Sequence, residues 1–385
     1  MLGTMALPHW LTGEDRALYD EARTIGRETL APLTREGEPG RVDRSLLKAL
    51  GAEGLLPAIF PSTHAGTLDK GVSAVRLCVL RESLAQESTG AETTLALQGL
   101  GGYPLLQSGR EEVAKRWIPE VARGEAVAAF ALTEPSAGSD AAALSLKAEP
   151  ADGGYRLSGS KKWISNAPDA DIYAVFARTS EDGARGITAF AVPGESAGLS
   201  GAPLELMSPH AIGTLELDGV FVGADHVLGE VGRGFRVAMR TLDLFRPSVG
   251  AFAVGMAQAA VDASVAYAQE RHAFGKSLGE FQAVSHQLAE MAMRTQAARL
   301  LVFDAAAAYD RGDRVTQASA MAKLYATEAA QFVIDAAIQV HGAAALEKGH
   351  LLEHLYRDVR GTRIYEGTSE IQREIIAREL FRPDE

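Results

Sequence analysis

Three stretches of the chain carry polar side chains in patterns that could support chemistry. The first, residues 130–140, passes from apolar residues into hydroxyls and a glycine. A loop of this kind can turn backbone N–H groups and hydroxyls towards the edge of a flat heterocycle or a phosphate. The second, residues 157–166, places Trp163 and Ser165 two positions apart, on the same side of an extended chain. There an indole could cover a ring to which the hydroxyl donates a hydrogen bond.

The third stretch, residues 364–372, places the carboxylate of Glu366 directly before Gly367 and the pair Thr368-Ser369. Hydroxyl residues are preferred at the first position of a helix, where they accept hydrogen bonds from free backbone N–H groups. This pattern predicts a cap on the last helix of the chain.

Other motifs are weaker. His350, Glu353 and His354 match H-x-x-E-H, an inverted zinc-protease signature in which the histidines bind metal and the glutamate acts as base. No third ligand is identified nearby, and a polar helix flank is the alternative interpretation. Ser45-x-x-Lys48 lacks the partner motifs of a serine–lysine enzyme, and Gly275-Lys276-Ser277 lacks the first glycine of a P-loop.

The elements around these motifs change character twice along the chain. Helical periodicity marks a segment that starts near Thr12, then residues 42–55, 71–87 and 110–122, and after about residue 234 the Ala-rich segments 235–269, 281–310, 315–340 and 365–380. Between them, β-branched and aromatic runs predict strands at residues 127–132, 144–148, 155–163, 172–178, 187–192 and 215–222, with a hairpin turn at 152–154.

Composition limits the partners. The 385 residues carry 38 basic and 50 acidic side chains, a net charge of −12 that argues against nucleic acid and anionic membranes but permits a small anionic ligand. Cys78, the single cysteine, lies in an apolar run and predicts a packed core thiol. The N-terminal residues lack a basic start, and no run approaches the ~18 apolar residues of a membrane span. The expected setting is reducing and cytoplasmic.

With these three stretches in this order, the chain resembles the acyl-CoA dehydrogenases, flavoproteins that oxidise acyl-CoA thioesters to trans-2-enoyl-CoA. The resemblance runs from about residue 10 to 380 and includes residues 242–246, 271–275, Phe281-Gln282 and 356–358. It implies an α+β fold with an N-terminal α-helical domain at 1–125, a central β-barrel-like domain at 126–228 and a C-terminal four-helix bundle at 229–385. FAD would lie between the last two domains and a partner subunit.

The resemblance also implies roles for individual residues. Glu366 would be the catalytic base that takes the α-proton while the β-hydrogen leaves as hydride to flavin N5, and Phe245 stands where a minority of the family carries its base. The implied FAD-binding residues are Phe130, Leu132, Thr133, Ser139, Trp163, Ser165, Arg271, Phe274, Phe281, Gln282, Gln339, Gly342, Thr368 and Glu370. The implied substrate-binding residues are Ser139, Asp243, Arg246 and Gly367, and no metal site is implied.

Some positions depart from the family pattern. Most members have a Gly-Gly-x-Gly run where this chain has Gly342 followed by three alanines, and Pro-x-x-Arg where it has Leu351 to His354. Residues 207–214 lack the arginine commonly found in the loop of the β domain. These departures affect the geometry of the FAD loop and the identity of the substrate.

The resulting hypothesis is FAD-dependent α,β-dehydrogenation of an acyl-CoA in fatty acid β-oxidation, by a homotetramer or dimer that passes electrons to an electron-transferring flavoprotein. Three alternatives stay open: a flavin oxidase or oxygenase of the same fold that uses dioxygen, a zinc hydrolase through His350, Glu353 and His354, and a catalytically silent acyl-CoA-binding homologue. Acyl length is not specified, although Ala96, Gly99, Gly101 and Gly102 are expected to leave space for the acyl chain.

Overall fold

The computed structural model describes residues 7–69 and 71–382. Residues 1–6, on which the prediction about a leader peptide partly rests, lie outside the described residues, as do the outermost ends of the predicted first and last domains. The α-helices of the described chain are α1 (Gly13–Ile25), α2 (Ala31–Glu36), α3 (Arg44–Ala52), α4 (Ala74–Ala85), α5 (Thr89–Ser108), α6 (Glu111–Ala122), α7 (Gly234–Glu270), α8 (Gln282–Asp310), α9 (Thr316–His341), α10 (Leu351–Thr362) and α11 (Ser369–Leu380). The strands are β1 (Ala128–Ala131), β2 (Lys147–Ala151), β3 (Gly154–Ser165), β4 (Ile172–Arg178), β5 (Ile187–Pro193), β6 (Leu199–Pro203), β7 (Ile212–Gly223), β8 (Val227–Leu228), β9 (His272–Ala273) and β10 (Lys276–Ser277).

One compact unit is helical and comprises the described residues of Met1–Arg27, Ser73–Glu92 and Asp243–Glu385. In it α4 packs on α1 and α8, and α9 packs on α8, α10 and α11. Gly255 lets α7 approach α4 closely, because a Cβ atom there would lie 2.5 Å from the Glu82 carbonyl oxygen. Thr12 caps α1 with its hydroxyl, as the sequence predicts. The helices that hold the third polar stretch therefore form one tightly packed body.

The second unit comprises Glu28–Val72 and Thr93–Leu242 and is built on an eight-stranded sheet. The strand order is β6-β7-β3-β2-β4-β5-β8, and β1 pairs in parallel with β4. Each predicted strand has a counterpart, but the strand predicted at 144–148 lies further along the chain, at Lys147–Ala151. Gly153 occupies the predicted hairpin turn with a φ of 75°. The sequence pattern misses β6 and β8, because β6 is largely exposed and contains Ser, Gly and Pro, and β8 is two residues long.

Glycines in α5 do not leave the space that the sequence suggests. A Cβ atom at Gly101 would lie 2.5 Å from the backbone nitrogen of Ala129, and one at Gly102 would lie 3.2 Å from the ring of Phe60. The space beside these two glycines is filled, because α5 packs closely on β1 and on the segment around Phe60. The expectation that Gly101 and Gly102 make room for an acyl chain is therefore wrong.

Burial explains the environment of the cysteine and of the long apolar helices. Cys78 is fully buried in α4, and burial raises the pKa of its thiol, so the predicted core thiol is confirmed. Among the described residues, two helical segments, α7 and Thr316–Leu346, are long and apolar enough to span a membrane by length and composition alone. In α7, 72% of that apolar window is buried within the protein, as in an ordinary core helix.

Candidate active site

A tight turn between α10 and α11 carries Glu366 and Gly367, whose φ angles are 54° and 95°. Glycine adopts this left-handed region freely, whereas a glutamate there is strained. The turn ends at Thr368, whose hydroxyl accepts a hydrogen bond from the Ile371 N–H over 3.3 Å and caps α11. The predicted cap is confirmed, and the backbone strain at Glu366 is a feature that the sequence pattern does not reveal.

Three buried side chains hold this turn by its carbonyl groups. The Glu366 carbonyl accepts hydrogen bonds from Arg246 Nε at 3.3 Å and Gln372 Nε2 at 3.1 Å. The Gly367 carbonyl accepts from Gln372 Nε2 at 2.9 Å and Lys323 Nζ at 2.8 Å. Because such strain persists only where surrounding contacts enforce it, these bonds fix the direction of the Glu366 side chain.

The carboxylate of Glu366 is protected from water on one oxygen. Its Oε2 atom is buried and has no hydrogen-bond partner among the described residues, although the residue as a whole is only half-buried. Burial raises the pKa of Glu366, and the positive charges of Arg81, Lys323 and Arg246 partly oppose that rise. A shielded carboxylate with an unused lone pair and a raised pKa is suited to accept a proton near neutral pH.

Arg246 lies deeper than its predicted contact with CoA would suggest. The residue is 4% exposed, and its Nη1 forms an ion pair of 3.1 Å with Oδ1 of Asp243, one turn earlier on α7. Burial raises the pKa of Asp243, and Arg246 is the first group that opposes the rise. These contacts direct Arg246 to the backbone of Glu366, and its role towards CoA stays a prediction.

A second buried pair lies near the same carboxylate. Arg81 of α4 and Glu92 of α5 form a short ion pair, and Arg81 Nη1 donates a 2.8 Å hydrogen bond to the Ser248 hydroxyl. Arg81 is the strongest of the charges that lower the pKa of Glu366. The sequence analysis missed this pair, for which the available signal was an arginine within the apolar run of α4.

In the sheet unit, the first polar stretch follows β1 and is anchored by a buried ion pair. Lys161 Nζ lies 2.9 Å from both the Leu132 carbonyl and Glu134 Oε1. Glu134 also accepts hydrogen bonds from the backbone N–H groups of Ser145 and Leu146, at 2.7 and 2.9 Å. This network holds the start of the loop, while Ser139 further along it is exposed.

The second polar stretch is not the regular strand that the sequence predicts. The pairing of β3 with β7 shifts register between Lys162 and Ile164, and Trp163 adopts a φ of 58°. This bulge leaves the indole 45% exposed, with Lys162 Nζ 5.1 Å from its ring centre. The prediction that side chains alternate as in a regular extended strand is therefore wrong at Trp163, because the bulge bends the strand and changes the direction of that side chain.

The exposed groups of this unit fit the edge and face of a flat heterocycle such as a flavin. The hydroxyls of Thr133 and Ser165 are half-buried, and neither forms a hydrogen bond with another described residue. Trp163 presents a half-exposed aromatic face in a conformation that a tryptophan adopts only under constraint. Phe130 packs its ring on Phe176, with centroids 4.9 Å apart, and the residue is half-buried.

A surface hairpin after α7 carries the residues predicted to reach a neighbouring subunit. Phe274 and Gly275 form its tip with φ angles of 52° and 83°, and the Phe274 side chain is 96% exposed. The rings of Phe274 and Phe281 lie 6.2 Å apart in an edge-to-face arrangement. Arg271 and Gln282 are exposed as well. At the far end of α9, Gln339 and Gly342 are exposed, and Gly342 adopts a φ of 61°.

The H-x-x-E-H residues each contact different partners. His350 caps α10 by accepting a hydrogen bond from the Leu352 N–H at 3.1 Å, and Glu353 pairs with Arg357 at 2.7 Å. His354 lies 3.1 Å from Asp358 and 2.7 Å from the hydroxyl of Thr89. Within residues 7–69 and 71–382, no group of three potential metal ligands comes together. The zinc alternative therefore lacks a ligand set in this part of the chain.

Comparison with known proteins gives a consistent result over the whole described chain. Three domain models of acyl-CoA dehydrogenases match in order, the N-terminal domain at residues 12–125, the middle domain at 129–220 and the C-terminal domain at 232–381. A cyclohexane-1-carbonyl-CoA dehydrogenase from Geobacter metallireducens is 35% identical over 96% of this chain and 98% of its own length.

Solved structures agree. The butyryl-CoA dehydrogenase of Megasphaera elsdenii superposes with a TM-score of 0.92 at 35% identity, over 98% of this chain and all of that one. A complex of PigA with FAD superposes with a TM-score of 0.91 at 27% identity, over 97% of this chain and 99% of that one. The predicted α+β fold, with helical domains before and after a β domain, is confirmed.

All three domain models match, and a named dehydrogenase is 35% identical over almost the whole chain. These findings agree with the shielded carboxylate of Glu366 and the strained bulge at Trp163. The chain belongs to the acyl-CoA dehydrogenase family and is an oxidoreductase.

Proposed function

We propose that this protein catalyses FAD-dependent α,β-dehydrogenation of an acyl-CoA thioester, with Glu366 as the base that takes the α-proton. The observation that carries the proposal is the buried Oε2 atom of Glu366, which has a raised pKa and no described partner. A carboxylate in this state gains more from receiving a proton than one already engaged in hydrogen bonds.

The backbone of the same residue offers a second function. The Glu366 N–H makes no hydrogen bond with a described carbonyl group and sits in the turn held by Arg246, Lys323 and Gln372. Loss of the α-proton places negative charge on the thioester oxygen, and a fixed N–H donor stabilises that charge. Base and donor would thus come from one rigid residue, so that each is aligned when the other is.

FAD, when bound, supplies the electron-accepting chemistry, by taking the β-hydrogen of the substrate as hydride. Leu132, Thr133, Trp163 and Ser165 would hold its ring system. Support comes from the free hydroxyls of Thr133 and Ser165 and from the half-exposed indole of Trp163. Phe130, Ser139, Thr368 and Glu370 complete the proposed set for this chain.

A homo-oligomer, dimer or tetramer, is part of the proposal. Arg271, Phe274, Phe281 and Gln282 would contact the FAD of a neighbouring subunit, together with the 339–342 segment. The support is the almost complete exposure of Phe274 at the tip of a hairpin, since a large aromatic group in such a position gains from being covered by a partner.

The reduced flavin must be reoxidised, and an electron-transferring flavoprotein in a cytoplasmic β-oxidation setting is the proposed acceptor. Stopped-flow reoxidation measures this directly, by mixing the reduced enzyme with either air-saturated buffer or the flavoprotein. Faster reaction with the flavoprotein is expected. Faster reaction with air would instead assign the protein to the oxidases of the same fold.

The proposed reaction is tested by anaerobic titration of the flavin with acyl-CoA thioesters. Butyryl-CoA and cyclohexane-1-carbonyl-CoA are the first probes, because relatives are named for these acyl groups. At least one thioester should bleach the oxidised flavin, and Glu374→Gln should behave like the wild type, because Glu374 is an exposed carboxylate on α11. A flavin that no straight, branched or cyclic acyl-CoA reduces would refute the proposed function.

A further inference from the structure

The turn that carries Glu366 depends on a lysine that the predicted chemistry does not use. Lys323 is fully buried in the Ala-rich helix α9, and its Nζ donates to the Gly367 carbonyl over 2.8 Å. We propose that Lys323 is a positioning residue for the catalytic base: it holds the strained Glu366–Gly367 turn and supplies a buried positive charge whose counter-charge is Glu366. This inference rests on the proposed role of Glu366.

The argument starts from the charges around the base. Of the three cations that act on Glu366, Arg81 is paired with Glu92 and Arg246 with Asp243. Lys323 forms no ion pair with a described residue. An unpaired ammonium group is costly to bury, so its charge must be balanced by a more distant carboxylate.

Glu366 is that carboxylate. Burial lowers the pKa of Lys323 to about 8, and among the groups that act against this change Glu366 is the strongest. Conversely, Lys323 lowers the pKa of Glu366 against the effect of burial. Each group therefore favours the ionised form of the other, and the ionised carboxylate is the form that can accept a proton.

The geometry adds a second effect. A glutamate in the left-handed region carries backbone strain and persists there only where neighbouring groups enforce it. The carbonyls of Glu366 and Gly367 are fixed by Arg246, Gln372 and Lys323, and of these three residues Lys323 is the one that lies on α9. Loss of its hydrogen bond leaves the Gly367 carbonyl held by Gln372 and without Lys323, which allows the turn to relax towards an unstrained conformation.

The test compares Lys323→Met, which keeps the length of the side chain but loses the hydrogen-bond donor and the charge, with Lys323→Arg, which keeps both. Thr327→Val is the matched control, because Thr327 is also fully buried, one turn further along α9, and its hydroxyl bonds only to helix carbonyls. Flavin content and thermal midpoint identify variants that fold. In those, the rate of anaerobic flavin reduction is measured against pH with the best acyl-CoA substrate.

The rate should rise with pH as Glu366 loses its proton. Lys323→Met should reduce the rate at pH 7 by about 10-fold or more and move this rise about one unit towards higher pH, because removal of a nearby positive charge raises a carboxyl pKa. Lys323→Arg should move it back. The ionisable groups that act on Glu366 and Lys323 in the described structure are Arg81, Arg246, Glu328 and Glu370. An unmoved pH profile in Lys323→Met would overturn the proposal.

Hydrogen exchange of residues 364–369 provides a measurement that needs no substrate. Lys323→Met should speed exchange in this segment, and Thr327→Val should not. Unchanged exchange in Lys323→Met overturns the positioning role even if the wild-type flavin is not reduced by acyl-CoA. Reduction of the wild-type flavin, together with an unmoved pH profile in the variant, overturns the Lys323 inference alone.

Discussion

Each of the two units contains a buried lysine near a residue with a strained backbone, which is a tryptophan in the sheet unit and a glutamate in the helical unit. The two lysines are used differently. In the sheet unit, Lys161 lies between the Leu132 carbonyl and Glu134, two positions before the left-handed Trp163. In the helical unit, Lys323 holds the carbonyl after the left-handed Glu366. Burial lowers the pKa of both lysines to about 8.

The difference lies in the counter-charge. Lys161 has its own carboxylate at 2.9 Å, and that carboxylate also binds two backbone N–H groups, so the charge is neutralised within the loop that it supports. Lys323 has no such partner in the described structure, and its charge acts on Glu366. A buried ion pair can thus build a scaffold, whereas a buried charge without an adjacent ion-pair partner remains available to a reacting group.

The largest effect is expected for Glu366→Gln. An amide cannot accept the α-proton, so flavin reduction by acyl-CoA should fall by about 10⁴-fold, the upper range for loss of general-base catalysis. Flavin content should be unchanged, because the change preserves size. Rapid single-turnover kinetics measure it, and reduction within ten-fold of the wild-type rate would remove Glu366 from the role of base.

Lys161→Met should be costly for stability. It leaves Glu134 buried without its partner, which costs about 3–5 kcal/mol. Denaturant unfolding measures the loss, with Lys147→Met on the exposed side of β2 as the control. The double variant Lys161→Met, Glu134→Gln should recover part of the loss. A Lys161→Met protein as stable as the control would mean that the ion pair is not the anchor of the loop.

Trp163→Ala should act on the cofactor and leave the proton transfer intact. Loss of a stacking face is worth about 0.5–1.5 kcal/mol, or up to roughly ten-fold in FAD affinity. Trp163→Phe keeps a ring and should restore most of the affinity. Equilibrium dialysis of FAD tests this ranking, and equal affinity in all three proteins would show that the bulge does not present the indole to the flavin.

Thr368→Ala should have the smallest effect. It removes the hydroxyl that caps α11 and should lower the free energy of unfolding by about 1 kcal/mol. The comparison is with Thr24→Ala, since the Thr24 hydroxyl bonds only to a carbonyl within α1. If Thr368→Ala is no less stable than Thr24→Ala, the capping bond does not contribute to the turn.

Much of the fold could be predicted because it depends on local patterns. Helix periodicity, the hydroxyl caps at Thr12 and Thr368 and the glycine turn at 153 are each encoded within a few residues. The short strand β6 could not be predicted in this way, since its place depends on pairing with β7 and not on its own composition.

The candidate site was only partly predictable. Glu366, Trp163 and Ser165 stand in recognisable motifs, whereas Lys323, Arg81 and Glu92 are distant in sequence from the residue they influence. A lone lysine in an Ala-rich helix looks like a solvent-facing residue until the packing of α9 on α11 buries it. Similarly, the bulge at Trp163 follows from its register with β7, which a single strand does not specify.

The buried thiol of Cys78 gives this protein a built-in reporter. Because the sequence contains no other cysteine, a thiol reagent has a single target, near the centre of α4. In the native state the thiol becomes accessible only when α4 separates from its neighbours. Its labelling rate would therefore report how often the helical unit opens. Flavin release, followed in the same sample, would show whether the cofactor leaves before or after that event.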